Sequence, residues 1–278
     1  MGKIIWLASF PKSGNTWLRA FLHNLLRNPD EAYDINKLTE FTKGDAQMGW
    51  YNLVDKRPGS EISKEEIAAL RPKIHRLMTQ SRPDSVFIKT HNLLAEDRGT
   101  PMITMEHTAG AIYVIRNPLD VTISFAHHYG CTIDEAIKSM ATPGLQTENS
   151  DSHCYEIYGS WSENVRSWTL SPHRGLYVVR YEDMLASPSK AFNNVLNFLG
   201  LKVAGRRLEK AVEQSSFRVL QEQEKRQSFK EKSIAAERFF REGTAGQWRK
   251  VLSQQQIEAV VAVHQEQMAR YGYWPLPQ

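Results

Sequence analysis

Apolar residues in this chain switch between two spacings, and the alternation predicts its architecture. Four short runs are apolar and partly β-branched, as strands buried on both faces are: Ile4 to Ala8, Val86 to Lys89, Ala111 to Ile115 and Leu176 to Val179. Between them the spacing becomes helical. Trp17, Leu18, Phe21, Leu22 and Leu25 fall on one helix face, and Asn28-Pro29-Asp30 closes that element. Ser63 and Glu66 make a capping-box pattern ahead of Ile67, Leu70 and Ile74. Pro118 suits a first helical position, with Val121, Phe125 and Tyr129 sharing a face behind it. Tyr158, Trp161, Val165 and Trp168 keep helical spacing. Ser187-Pro188 opens a further helix through Ala191, Val195, Leu196 and Leu199, which Gly200 stops. Helices are also expected over Arg206 to Gln214 and from about Gln254 to Tyr271. Ala141 to Ser152 reads as loop, and Arg218 to Ser233 as a polar stretch with few apolar anchors. Strands alternating with helices imply an α/β fold, a central parallel sheet flanked by helices on both faces.

The first strand runs into Phe10-Pro11, where proline ends the ladder. Lys12-Ser13-Gly14-Asn15-Thr16 comes next, small and polar, and leads directly into the first helix at Trp17. A strand, a tight glycine turn and a helix N-terminus gather backbone N–H groups into an anion site. Lys12 adds a full charge, and the Ser13 and Thr16 hydroxyls add donors, so the expected ligand is a phosphate. The sheet is therefore P-loop-like, although the match to the usual phosphate-loop pattern is incomplete: Lys-Ser precedes a single Gly14 instead of coming after it.

Composition narrows the function. Among 278 residues, 41% are hydrophobic and 24% charged, and the net charge is +4, which suits anionic small ligands in a basic cleft better than a nucleic-acid-coating surface. The moderate basic cluster, Lys225-Arg226 through Lys232, is interleaved with Glu222, Glu224 and Glu231 and reads as a solvated or mobile face. Cys131 and Cys154 make no disulfide framework. The histidines lack metal-ligand spacing, so no protein-bound metal is expected. Without signal-peptide architecture or an apolar run of membrane-spanning length, the expectation is a cytoplasmic enzyme with reduced thiols.

In an open α/β sheet, ligands bind beyond the carboxyl ends of the strands. The four strand runs end, in order, at Lys12-Ser13, Lys89-Thr90-His91, Arg116 and Arg180-Tyr181. So many cations on one edge are costly unless a multiply charged anion joins them. No acidic pair stands among them to hold the magnesium that ATP chemistry needs. Histidine beside lysine suits general-base attack by a hydroxyl. Each residue alone has an ordinary reading: Lys89 or His91 as a strand-end surface residue, Arg116 as an ion-pair partner, Ser124 as a helix-face serine, Arg180 as a partner of Glu182 or Asp183. Their joint occurrence, in this order, carries the inference.

With these residues in place, the chain resembles the cytosolic-type sulfotransferases that use 3′-phosphoadenosine 5′-phosphosulfate (PAPS). Pro11-Lys12-Ser13-Gly14-Asn15-Thr16-Trp17 is similar to the family's 5′-phosphosulfate loop, with Asn15 where threonine is common. Lys89-Thr90-His91 resembles the segment carrying the catalytic lysine and histidine. Tyr113 through Ser124 resembles the 3′-phosphate motif, whose members are Arg116 and Ser124. Arg180-Tyr181-Glu182-Asp183 and Ser215-Ser216-Phe217 resemble segments near adenine, and Phe240-Arg241-Glu242-Gly243 through Trp248 resembles the C-terminal motif closing over the 3′-phosphate. Two departures stand out: Glu242 where lysine is usual, and Gln247 where aspartate is usual.

The resemblance implies sulfuryl transfer from PAPS to an acceptor hydroxyl, leaving 3′,5′-bisphosphoadenosine (PAP) and needing no metal. His91 would be the base, and Lys12 and Lys89 would stabilise the transferring group. Lys12 to Thr16 would hold the 5′-phosphate, Arg116, Ser124 and Arg241 the 3′-phosphate, and Trp17, Tyr181 and Phe217 the adenine. Residues 33–83 and 130–152 would be acceptor-side insertions and 218–250 a nucleotide-covering segment of a single domain, 1–278. The acceptor is expected to be a small hydroxyl compound, aromatic, lipid or glycoside, and no nucleic acid or membrane partner is expected. Phe10, Trp50, Tyr51, His127, His128 and Tyr129 are candidates for its pocket or, equally, for core packing. A P-loop-type kinase and a non-catalytic nucleotide-binding protein are the alternatives.

Overall fold

In the computed structural model, residues 2–275 are described; the ends of the expected domain, residue 1 and residues 276–278, lie outside them. Strands β1 (Ile4–Ala8) and β2 (Val86–Thr90) flank helices α1 (Asn15–Arg27), α2 (Met48–Tyr51) and α3 (Lys64–Gln80). A small hairpin, β3 (Glu96–Asp97) and β4 (Thr100–Pro101), precedes β5 (Thr108–Ile115), α4 (Pro118–Tyr129), α5 (Ile133–Ala141) and α6 (Trp161–Thr169). Then come β6 (Leu176–Arg180), α7 (Tyr181–Ala186), α8 (Pro188–Phe198), α9 (Gly205–Gln214), α10 (Phe217–Gln227), α11 (Trp248–Val251) and α12 (Gln254–Arg270). The main sheet is parallel in the order β2-β1-β5-β6.

Side-chain alternation explains why both faces are covered. Ile4, Trp6, Ala8, Ala111, Tyr113 and Ile115 enter the larger core, shared with α4, α6 and α12, while Leu7, Ile112 and Val114 enter the other, shared with α1 and α8. The capping box at Ser63 is present, and so is Pro118 at the first turn of α4. Two details differ from the sequence reading. The helix around Trp161 begins three residues after Tyr158, because Ser160 caps it with Glu163. Residues 133–141 form α5, a helix absent from the sequence expectation, started by a Thr132–Glu135 capping box on a short segment.

The polar stretch after residue 217 is the main correction. Lys225, Arg226 and Lys230 are exposed, as expected of a solvated face, but the stretch does not lack apolar anchors. Helix α10 buries Leu220, and Phe229 and Phe240 join it in a third cluster against Ala20, Ile35 and Leu38. Two of the interleaved acids point inward. Both Glu224 oxygens accept from the Phe239 and Phe240 N–H groups, at 2.7 and 2.8 Å. Glu231 receives both terminal nitrogens of the fully buried Arg19 at 2.7 Å. Burial works against the Glu231 charge, yet Arg19 and then Lys89 outweigh it and hold the carboxyl at about 2.

Removing one partner of such a pair leaves a buried charge alone. Arg19→Met should therefore lower unfolding stability by about 3 kcal/mol, read from denaturant midpoints at neutral pH. The deficit should shrink on acidification, because the depressed Glu231 stabilises above its ordinary value and loses that contribution as pH falls toward 2. A variant as stable as the parent at pH 7 would show that the pair does not hold the segment.

Candidate active site

The loop between β1 and α1 is shaped by two unusual backbone positions. Gly14 has φ 108°, and a Cβ there would lie 2.6 Å from the Tyr181 ring, so only glycine fits. Lys12 takes φ 67° with a full side chain, a strain of about 1–3 kcal/mol. Asn15 fixes the loop from beneath, donating to the Leu7 carbonyl at 2.8 Å. The first turn of α1 has no side-chain cap and no acidic residue, so its N–H groups and partial positive charge remain for an anion.

A cavity of about 550 Å³ opens at this end of the sheet. Lys12, Gly14, Asn15, Thr16 and Trp17 line it from the loop, Lys89 and His91 from the end of β2, and Arg116 and Ser124 from β5 and α4. Tyr181, Phe217, Phe240, Arg241, Glu242 and Gly243 line the same space. Of the residues expected around a nucleotide, Ser13 alone is not at its wall; it is buried beside it with Oγ unpartnered. Trp17 Nε1 and Arg116 Nε are likewise buried without protein partners, which fits a site made to receive acceptor atoms. Gly243 (φ 63°) packs so closely on Phe217 that a Cβ would fall 2.2 Å from its ring.

Arg116 joins the parts. It donates to the carbonyls of Lys12 and Thr244, both at 3.2 Å, and its guanidinium stacks 4.2 Å over the Tyr181 ring. Asp120, one turn into α4, accepts from the N–H groups of Gly246 (2.6 Å) and Trp248 (3.1 Å), pinning the C-terminal motif. Both departures noted in the sequence touch Arg241: Gln247 Oε1 accepts from it at 2.7 Å, and Glu242 lies 3.8 Å away. Arg180 is not at the wall; it stacks on Tyr273 and lies 3.6 Å from Asp183, its ordinary reading.

Electrostatics shift the titratable groups around the cavity. Burial, then the charges of Lys89 and Arg116, lower Lys12 to about 7. Its Nζ lies 3.3 Å from His128 Nδ1 and 3.8 Å from the centre of the Phe239 ring. Burial, then Lys12 and Lys89, push His128 down to about 3, so it meets Lys12 as a neutral acceptor. His91 is held well below its usual value by burial and by Lys89. Its Nδ1 lies 2.8 Å from the Ser9 carbonyl, which can only accept. Nδ1 therefore carries the proton and Nε2 is the basic nitrogen.

Several functional neighbours escaped the sequence reading. Glu156 and Asp45 lie beside the Lys89–His91 segment: Asp45 accepts from Thr90 Oγ1 (2.8 Å) and Asn92 Nδ2 (3.0 Å), and burial plus the Glu156 carboxylate pushes it up to about 7. Arg19, Glu224 and Glu231 belong to no motif, and Asp120, although inside the Tyr113–Ser124 segment, has no expected role there; only their contacts reveal them. Of the proposed pocket aromatics, Phe10, Trp50 and Tyr51 are core residues, whereas His128 and Tyr129 line the cavity and His127 does not. Residues 35–47 line it too, but 130–152 do not; His153, Glu156 and Tyr158 do. Among the described residues no cluster of three or more His, Cys, Asp or Glu is placed to hold a metal, and no helix is long and apolar enough to cross a membrane.

Phosphate-loop geometry, gathered cations and a tautomer-fixed histidine define a nucleotide-dependent group transferase. The Sulfotransferase domain family matches residues 3–272, and the chain belongs to that family: it is a sulfotransferase. It is 29% identical to rat sulfotransferase 2A6, over 97% of this chain and 86% of the relative, and 26% identical to guinea pig 3-alpha-hydroxysteroid sulfotransferase, over 95% and 83%. In fold it resembles mouse sulfotransferase SULT7A1 complexed with PAP (TM-score 0.62, 20% identity, 96% and 84% of the two chains). It also resembles retinol dehydratase in complex with androsterone and PAP (TM-score 0.65, 17% identity, 95% and 80%). Family membership decides against the kinase alternative.

A lysine lowered to about 7 gives a signature for anion binding. Phosphates favour the ammonium form, so nucleotide binding at pH 8 should take up close to one proton. Affinity should weaken as pH rises above about 7, by up to roughly tenfold per unit. Calorimetry with PAP in two buffers of unlike ionisation heat reads this directly. Uptake that persists in Lys12→Met would assign it to another group.

Proposed function

We propose that this sulfotransferase moves the sulfuryl group of PAPS to a hydroxyl of a small molecule, with His91 as general base. The observation that supports it most is His91 itself: Nδ1 donating to Ser9, Nε2 basic, in one cavity with Lys12, Lys89 and the start of α1. His91 Nε2 takes the acceptor proton as the hydroxyl oxygen attacks sulfur. The sulfur–oxygen bond to the 5′-phosphate breaks, and PAP leaves with the electron pair. Lys12 neutralises charge growing on that bridging oxygen and Lys89 assists at the sulfuryl group; such stabilisers typically contribute about 10²–10³ in turnover.

In this reading Lys12, Ser13, Gly14, Asn15 and Thr16 hold the 5′-phosphate, chiefly through backbone N–H groups. Arg116, Ser124 and Arg241 hold the 3′-phosphate, with the Phe240–Gly243 backbone closing over it and Glu242 setting Arg241. Trp17, Tyr181 and Phe217 pack around adenine. Residues 218–250 cover the nucleotide, and 33–83 reach the acceptor side through the segment up to Gln47. The free thiols of Cys131 and Cys154 are in keeping with a cytoplasmic location.

His91→Ala should lower turnover by roughly 10²–10⁴ while leaving the PAP dissociation constant unchanged. Equal loss of both would make His91 a nucleotide ligand instead. Because His91 is held low, the acid limb of turnover in the parent enzyme should fall below the ordinary histidine range, its base form persisting as pH drops.

Arg116→Ala should weaken PAP binding at least about tenfold without a matching loss for AMP. Calorimetry without magnesium, with PAP, AMP and ATP in parallel, separates the readings. Preference for the bisphosphate supports PAPS as donor. Binding of PAP with no transfer to any acceptor would favour the non-catalytic alternative.

A further inference from the structure

Beside His91, the wall of the cavity carries a carboxylate that the transfer mechanism does not use. Glu156 lies on a segment fixed on both sides. Its N–H donates to Thr147 Oγ1 (2.8 Å), and its carbonyl accepts from the Thr147 N–H (2.9 Å). The next residue, Ile157, donates to Asn92 Oδ1 (2.8 Å) and accepts from the Leu93 N–H (2.9 Å). The side chain is thereby held against the residues just after β2. Its carboxylate is poorly satisfied there. It receives the His91 backbone N–H at 3.4 Å and the Tyr158 hydroxyl at 3.2 Å, both at or beyond the long end for useful bonds. Among the described residues it forms no ion pair, although the charge of Lys89 acts on it. It lies deep in the protein yet retains accessible surface, because that surface faces the cavity. Gln47 and His153 add polar groups to the same wall.

An acceptor seated for attack from His91 excludes water from this wall. A hydrocarbon body there would strip solvent from Glu156 and return nothing, and a buried carboxyl group held only by two long hydrogen bonds is expensive to desolvate. We infer that Glu156 is a specificity-determining residue that accepts a hydrogen bond from a second polar group of the acceptor, so that this enzyme sulfates polar hydroxyl compounds carrying a further hydroxyl or ammonium, not apolar alcohols. The inference rests on the transferase reading and adds the acceptor class to it. A site built to receive a hydrogen bond discriminates strongly against analogues that lack the donor.

Three phenols of similar size test it with PAPS: p-cresol, 4-methylcatechol and tyramine, with a hydroxysteroid as the apolar control. The expected result is that kcat/KM for the catechol, the amine or both exceeds that for p-cresol and the steroid by about ten- to a hundredfold. Whichever leads tells a hydroxyl from an ammonium partner. Glu156→Gln should erase the advantage of the amine, and Glu156→Leu should erase both while raising relative turnover of p-cresol. PAP affinity should stay at the parent value in each variant, showing an intact nucleotide site. Equal or better turnover of p-cresol or the steroid by the parent enzyme, or an unchanged preference in Glu156→Leu, would overturn the inference while leaving sulfuryl transfer standing. PAP binding with no transfer to any hydroxyl compound would overturn the transferase reading and this inference with it.

Discussion

Lys12, Lys89 and Arg116 share one buried cavity, and their mutual repulsion is the constraint around which the rest is arranged. Burial disfavours the Lys12 charge, and its neighbours Lys89 and Arg116 add to the penalty, enough to lower it to about 7. Such a cluster is stable only where the scaffold holds its members rigidly, and it is useful only toward a ligand with several negative charges. The uncapped start of α1 adds to the same field. The strained backbone of Lys12 and the glycine requirement at Gly14 have one consequence: they aim the loop at that field.

The acids nearby divide into those that secure the cavity and Glu156, which the cover does not use. Glu231 on Arg19, Glu224 on the Phe239–Phe240 backbone and Asp120 on Gly246 and Trp248 turn residues 218–250 into a fixed cover. Arg116 links that cover to the phosphate loop through two carbonyls, so the guanidinium proposed for the 3′-phosphate also holds the cavity closed. Glu156 differs. Its backbone is bound tightly and its carboxylate loosely, as suits a group whose partner arrives with the acceptor.

The neutrality of His91 has its origin in the same field. Positive neighbours and burial keep the ring unprotonated, and the Ser9 carbonyl chooses which nitrogen is basic. A histidine outside this cluster would titrate near neutrality and be partly protonated at the acid end of the physiological range. The cations that favour an anionic donor thus also prepare the base.

Much of this was legible in the chain. Strand runs alternating with helical spacing gave the parallel sheet, because period and β-branching are local properties. Pro11 to Trp17, Lys89 to His91 and Arg116 could be placed at one end of it, because every parallel strand delivers the residues after it to the same edge, whereas Phe240 to Trp248 follows no strand and was placed there by resemblance alone. Tertiary structure alone decided whatever depends on contacts across long sequence separations. Arg19 and Glu231 are 212 positions apart, and nothing local distinguishes either from a surface charge. The charged run after residue 217 looked solvated because its composition is polar, and Lys225, Arg226 and Lys230 are, yet Glu224 and Glu231 turn inward to satisfy buried N–H groups and a buried guanidinium. Phe10, Trp50 and Tyr51 looked as suited to a pocket as to a core, since aromatic side chains serve both, and packing put them in the core. Glu156 carried no signal in the sequence, because a lone glutamate in a loop acquires chemistry only from the groups the fold sets beside it.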